Sequence, residues 1–283
     1  MLDINVNTPD NLNQLFEMMQ GSASRKFFYL AGGTDLVIRA KDGQIRDAVF
    51  VNIQNLNELK GIRVDGGKLI IGALTKHSEL VKSEVVQQNA EVLALAAKEV
   101  GSPQIRNLGT IGGNVGNASP AGDTIPALYA LDAEVILISA EGERAIKIYD
   151  FFSGPSKTVM KTGEIIKEIH IPLHNGYMSA FKKLGQRKAL AISKINLAVV
   201  CKTDDNVIKD IKISAGAVAP TVLRAVQTEE FLLGKTLDTE LIGAAEEIIK
   251  SEVTPIDDIR SNSGYRRDMA GILLRKVLRE FKS

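Results

Sequence analysis

The chain has 283 residues, 45% of them apolar and 24% charged, with a formal net charge of +1; this is the ordinary composition of a globular protein with a sizeable core. Near-neutral charge, 5% aromatic residues and no tryptophan exclude a nucleic-acid platform and a basic membrane-surface protein. A single cysteine, Cys201, excludes an intrachain disulfide and any multi-thiolate iron–sulfur or zinc site within the chain.

The opening residues, MLDINVNTPDNLNQL, lack the basic start and apolar run of a signal peptide, and no apolar run reaches the ~18 residues of a membrane span. A cytoplasmic location is expected. TPDNLNQLFEMMQ opens with a Thr8/Asp10 capping signal, and Leu12, Leu15, Phe16 and Met19 follow at helical spacing. KFFYLAGG reads as a strand running into a double glycine, LVIRAKDG as a helix and AVFVNIQNL as a strand. GIRVDGGKLIIGAL reads as a hairpin turning at Asp65-Gly66-Gly67, and NAEVLALAAKEVG as a helix that stops at Gly101. The segment GTIGGNVGNASPAGD, residues 109–123, reads as a glycine-rich loop. AEVILISAEGERAIKIYDF is a hairpin turning at Glu141-Gly142, and EIIKEIHIPL a strand ending at Pro172.

The character changes near His174-Asn175-Gly176. SAFKKLGQ, SKINLAVVCKTDD and IKDIKISAGAV read as three successive strands of an antiparallel sheet. Two helices follow, TELIGAAEEIIKSEV and YRRDMAGILLRKVLREF, the second with Tyr265, Met269, Ile272, Leu273, Val277 and Phe281 on one face. The expected fold class is α+β, divided into residues 1–175, with lobes of about 1–55 and 56–175, and a C-terminal domain over 176–283.

Two strand-to-glycine motifs carry the functional signal. LAGGTDL turns on Gly32 and Gly33. Such a pair either marks a tight turn or aims successive N–H groups at an anion, with Thr34 adding a hydroxyl. TIGGN, residues 110–114, repeats the device further along the chain. Neither fits the dinucleotide fingerprint or the phosphate loop of nucleotide triphosphatases. Two such loops point to a large phosphorylated ligand that bridges two lobes.

AGGTDL, GSPQIRNLGTIGGNVGNASPAGDTIPAL, AFKKLGQRKALAIS and SGYRRDMAGILLRKVL together resemble the FAD-binding medium subunits of molybdenum hydroxylases, the flavin subunits of xanthine, nicotinate and carbon monoxide dehydrogenases. The resemblance implies a two-lobed FAD domain of the vanillyl-alcohol-oxidase (PCMH) type followed by a C-terminal α+β domain. It places the FAD pyrophosphate on Leu30, Ala31, Gly32, Gly33, Thr34 and Asp35, and further cofactor contacts on Thr110, Ile111, Gly112, Gly113 and Asn114. It also assigns Asp123 to the nucleotide end, and Gly101, Ile165 and Lys183 to further contacts. An iron–sulfur cluster within this subunit, which one branch carries, is excluded by the cysteine count. The implied role is electron transfer. Clusters of a [2Fe-2S] ferredoxin-like small subunit, reduced by a molybdopterin-binding large subunit, pass electrons to FAD, and FAD passes them to NAD(P)+ or another acceptor. A self-contained FAD oxidoreductase acting on a small substrate is the alternative. No general base is visible. Cys201 reads as a buried inert thiol, and His170 and His174, with Pro172 between them, do not read as a metal pair.

Overall fold

The computed structural model describes residues 6–20, 26–45, 48–187 and 190–282. The first residues of the stretch read for a signal peptide, and Lys188 of the FKKLGQRK run, lie outside the described residues.

The first lobe is a small parallel layer. β1 (Val6–Asn7) precedes α1 (Leu12–Gln20), whose Leu15, Phe16 and Met19 are buried as their spacing predicts. β2 (Lys26–Leu30) leads into α2 (Leu36–Lys41), and β3 (Ala48–Asn52) runs parallel to both strands and between them.

The second lobe begins with the expected hairpin of β4 (Ile62–Asp65) and β5 (Lys68–Gly72). Gly66 and Gly67 are its two loop residues, with φ of 54° and 75°, a left-handed pair that glycine adopts without steric cost. A run of short helices follows: α3 (His77–Lys82), α4 (Glu84–Asn89), α5 (Glu91–Lys98), α6 (Pro103–Leu108), α7 (Ile111–Asn117) and α8 (Thr124–Ala130). β6 (Glu134–Ser139) and β7 (Gly142–Lys147) form the second hairpin; the pairing of Ser139 with Gly142 puts its turn at Ala140-Glu141, one residue earlier than expected. After α9 (Ile148–Phe151) and the small pair β8 (Phe152–Gly154) and β9 (Lys157–Thr158), β10 (Ile165–Pro172) returns between the hairpins. The sheet runs β4-β5-β10-β6-β7, antiparallel throughout.

α7 replaces much of the segment 109–123 that reads as loop, and α6 leads into it. Ser102 caps α6, its Oγ accepting from Ile105 N at 3.2 Å with Pro103 in the first turn; Thr110 caps α7, its Oγ1 accepting from Gly113 N at 3.1 Å. The glycines of α7 disfavour a helix by ~0.5–1 kcal/mol each. Its two fully buried side chains, Ile111 and Val115, offset this by burial worth ~2 kcal/mol apiece.

The C-terminal domain is a four-stranded antiparallel sheet, β11 (Met178–Leu184), β12 (Ile195–Asp204), β13 (Val207–Gly216) and β14 (Leu223–Arg224), carrying α10 (Val226–Leu232), α11 (Thr239–Glu252) and α12 (Ser263–Lys282). β12 explains why INLAVVC is apolar on both faces. Ala198 and Val200 join the core of the preceding lobe, while Leu197, Val199 and Cys201 join the core under α11 and α12. The strand is therefore shared between two cores. The Cys201 thiol is pushed up to about 12 by burial and then by the Asp210 charge, which makes it an inert packing residue. On α12 the buried face runs through Arg266, Ala270, Leu273, Leu274, Val277 and Leu278; Leu273 and Val277 lie on it as expected, and Tyr265 is exposed instead.

Candidate functional site

The end of β2 is pinned before it turns. Leu30 O accepts from Ile53 N at 3.1 Å, and Ala31 O from Gln54 Nε2 at 2.5 Å. The chain then turns through Gly32–Asp35, with Gly33 left-handed at φ 69°. Among the described residues, the N–H groups of Gly32, Gly33, Thr34 and Asp35 find no acceptor within the protein. Four successive unspent donors on a half-exposed turn form an anion cradle.

This turn sits directly on the second motif. A Cβ on Gly32 would stand 2.2 Å from Leu108 O and 2.8 Å from Gly109 Cα. Asn117 Nδ2 also donates to Asp35 Oδ2 at 3.3 Å. The two glycine motifs, distant in sequence, thus meet where the parallel and antiparallel lobes join.

The second motif has a different chemistry from the one its sequence suggests. Four of its five N–H groups are spent within the protein: Ile111 N donates to Thr75 O (2.9 Å), Gly112 N to Ala73 O (2.9 Å), Gly113 N to Thr110 Oγ1 (3.1 Å) and Asn114 N to Thr110 O (3.0 Å). Gly112 is buried, and a Cβ there would lie 2.6 Å from Ala73 Cβ and 2.7 Å from Ala73 O. Its bareness serves a close crossing of α7 over the chain after β5. Gly113 is exposed and keeps one face of α7 open, while Asn114 Oδ1 accepts from Thr124 Oγ1 at 2.6 Å.

Beyond α5 the two domains enclose a cleft of about 730 Å³, lined by Lys98, Gly101, Ser102 and Arg106 on one side and by Lys183 and Arg187 on the other. Gly101 is left-handed at φ 47°, with the Ile105 side chain over it. Lys183, a cofactor contact by the resemblance, has a side chain only 9% exposed. Its Nζ donates to Asp123 Oδ2 at 2.6 Å and to Glu99 O at 2.9 Å. Asp123 Oδ1 in turn accepts from Ser193 Oγ at 2.7 Å and Asn196 Nδ2 at 3.0 Å. Ser193 and Asn196 escaped sequence reading; the available signal was a polar Asn inside the apolar run INLAVV. Ile165, the first residue of β10, is buried with Leu15 and Phe16, and the partly buried Ala31 packs against that group.

His77 packs its ring beside Gly109 and is 2% exposed, and its Nδ1 has no partner among the described residues. Burial, then the Arg106 charge, lowers its pKa from 6.5 to about 4. As pH falls, the unfolded chain takes up this proton before the folded one does. Stability is therefore full above about pH 6.5 and falls by ~3 kcal/mol as pH drops to about 4. A His77→Leu variant is expected to lose much less over that window, as read by denaturant midpoints at each end. Equal acid losses in both proteins would contradict the assignment. The other histidines are engaged elsewhere, His170 with Glu168 at 2.8 Å and His174 Nδ1 with Pro172 O at 2.7 Å; among the described residues no metal-ligating trio assembles.

A parallel lobe and an antiparallel lobe that meet at a turn of free N–H groups, followed by an α+β domain, define a two-lobed FAD-binding flavoprotein subunit. Residues 2–174 match the family described as the FAD binding domain in molybdopterin dehydrogenase, and the chain belongs to it; residues 179–281 match the CO dehydrogenase flavoprotein C-terminal domain. The chain is 33% identical to the glyceraldehyde dehydrogenase medium chain of Sulfolobus acidocaldarius, covering 96% of this chain and 95% of that one. It is 36% identical to the nicotinate dehydrogenase FAD-subunit of Eubacterium barkeri, covering 88% and 86%. Its fold superimposes on a chain of carbon monoxide dehydrogenase from Hydrogenophaga pseudoflava with a TM-score of 0.93 at 30% identity, covering 98% and 96%. The chain is thus an oxidoreductase flavoprotein subunit of the molybdenum hydroxylase family. Among the described residues, no helix is long and apolar enough to cross a membrane.

Proposed function

We propose that this chain carries electrons, through FAD, from iron–sulfur clusters on a [2Fe-2S] ferredoxin-like small partner to NAD(P)+ or another acceptor. A molybdopterin-binding large partner supplies those electrons by oxidising the substrate. The observation that carries the FAD assignment is the set of unspent N–H groups at Gly32–Asp35, which fits a diphosphate without an arginine cluster. The multi-chain reading is supported by the relatives named as a medium chain and an FAD-subunit.

In this reading Leu30 and Ala31 hold the end of β2 so that Gly32, Gly33, Thr34 and Asp35 offer their N–H groups to the diphosphate. Thr110, Ile111 and Gly112 build the buttress behind that turn; Gly113 and Asn114 face the cofactor from the open side of α7. Gly101 and Lys183 line the cleft for the flavin end, with residues 1–175 and 176–283 as its two walls. Asp123 joins them through its ion pair with Lys183 rather than at the nucleotide end that the resemblance implies, and Ile165 backs the turn from the core beside Ala31. FAD supplies the chemistry when bound, accepting and releasing electrons one or two at a time. The protein positions it and controls which groups approach it.

The test is an absorption spectrum of the purified full chain after FAD addition and desalting. Retained bands near ~370 and ~450 nm, with FAD released on denaturation, are expected. Absence of flavin both from the chain alone and from the complex with its partner chains would overturn the proposal. Anaerobic NADH added to the complex then tests the acceptor, with bleaching of the ~450 nm band expected.

A further inference from the structure

Asp123 is a hub between the two domains. Its segment is gripped on both sides by the C-terminal sheet, with Ala217 N donating to Pro120 O at 2.8 Å and Ser214 Oγ to Pro126 O at 2.5 Å. The carboxylate itself takes two donors on Oδ1, Ser193 Oγ and Asn196 Nδ2, and Lys183 Nζ on Oδ2. Ser193 and Asn196 are each fully buried. Three donors on a carboxylate with about four acceptor sites leave one, on Oδ2 beside Lys183.

Lys183, in contrast, lines the cleft and has a donor to spare. An ammonium carries three N–H bonds, and the protein uses two, for Asp123 and for Glu99 O. The cleft already holds Lys98, Arg106 and Arg187, with Glu99 as the carboxylate residue of its lining. In a site this buried, where charges are weakly screened, a carboxylate 2.6 Å from the ammonium cancels much of its field.

We infer that Asp123 acts on the flavin site through Lys183: it compensates the lysine charge that the cofactor meets, and Ser193 and Asn196 are the positioning residues that hold it there. The inference rests on the FAD reading above. It assigns Asp123 an indirect role, with Lys183 as the group that touches the cofactor. Adding electrons adds negative charge to the flavin, so an uncompensated Lys183 favours the reduced cofactor and an unopposed Asp123 disfavours it. The backbone grip at Pro120 and Pro126 keeps Asp123 in place when Lys183 is changed.

The experiment is a dye-equilibrated anaerobic reductive titration of the FAD-loaded full chain, comparing wild type with Lys183→Met, Lys183→Arg and Asp123→Asn. The midpoint potential is expected to shift negative in Lys183→Met, to shift positive in Asp123→Asn and to stay near wild type in Lys183→Arg. If Asp123→Asn fails to fold, Ser193→Ala carries the test: a loosened carboxylate compensates Lys183 less, so a smaller positive shift is expected, and an unshifted potential overturns the inference. A purely structural latch predicts lower melting temperatures with unshifted potentials, and that result overturns the inference while leaving the FAD assignment intact. Failure of the wild-type chain and its complex to hold FAD overturns both.

Discussion

Alanine in place of Gly32 is expected to force the two lobes apart at their junction, lowering stability by ~3 kcal/mol and depleting bound flavin. The added methyl would lie 2.2 Å from Leu108 O, 2.7 Å from Leu108 C and 2.8 Å from Gly109 Cα. All three are backbone atoms, so no rotamer change relieves the clash, and close-packed surroundings transmit it. Gly33→Ala is the control. Gly33 is left-handed at φ 69°, where a Cβ costs ~1 kcal/mol, and its nearest neighbour would be Val37 Cγ2 at 3.2 Å, a methyl of an exposed side chain rather than backbone. Thermal melting and flavin content should therefore rank Gly32→Ala well below Gly33→Ala. The reverse order would mean that backbone conformation, rather than contact between the motifs, decides the site.

The second large effect is expected at Arg224, which joins the two domains. Its side chain, 19% exposed, donates to Asp132 Oδ1 at 2.8 Å and also bonds the Glu229 carboxylate; Lys212 and Tyr149 complete the cluster on Asp132. Burial pushes the Glu229 carboxyl up even with Arg224 beside it. Arg224→Met leaves Glu229 with the Ile213 N–H and little else, a buried charge without its counterion. Such losses cost ~3–5 kcal/mol. Denaturant unfolding should show the lower end of that range, given the remaining exposure. A change under ~1 kcal/mol would place the pair among solvent-screened surface bridges.

What the sequence reveals depends on how local each cause is. The Gly66-Gly67 turn and the end of β10 at Pro172 are legible because a few neighbouring residues determine them. The double-buried strand is equally plain from the apolar run Leu197–Cys201 that follows Asn196. The glycine-rich segment is harder. Counting glycines suggests a loop, although Ser102-Pro103 and Thr110 are visible helix starts. Gly112 is bare because Ala73 lies against it, a long-range contact that local sequence does not record. The family motifs bring AGGTD and TIGGN to one junction, but they do not reveal that the first keeps the N–H groups of Gly32 to Asp35 unspent while the second spends those of Ile111 to Asn114. Lys183 shows the same limit from the other side. Its burial depends on Asp123, a partner 60 positions away.

The grip on residues 120–126 also dictates an order of events during synthesis. Its donors lie 60 to 97 positions downstream of their acceptors, from Lys183 on Asp123 to Ala217 on Pro120. While the ribosome is still adding β12 and β13, the first domain has its sheet but not the hands that fix this segment. Domains generally fold from the N-terminus as they emerge. The segment around Asp123 is therefore fixed only when the C-terminal sheet arrives, and on the proposed reading cofactor loading belongs to the end of folding rather than its beginning.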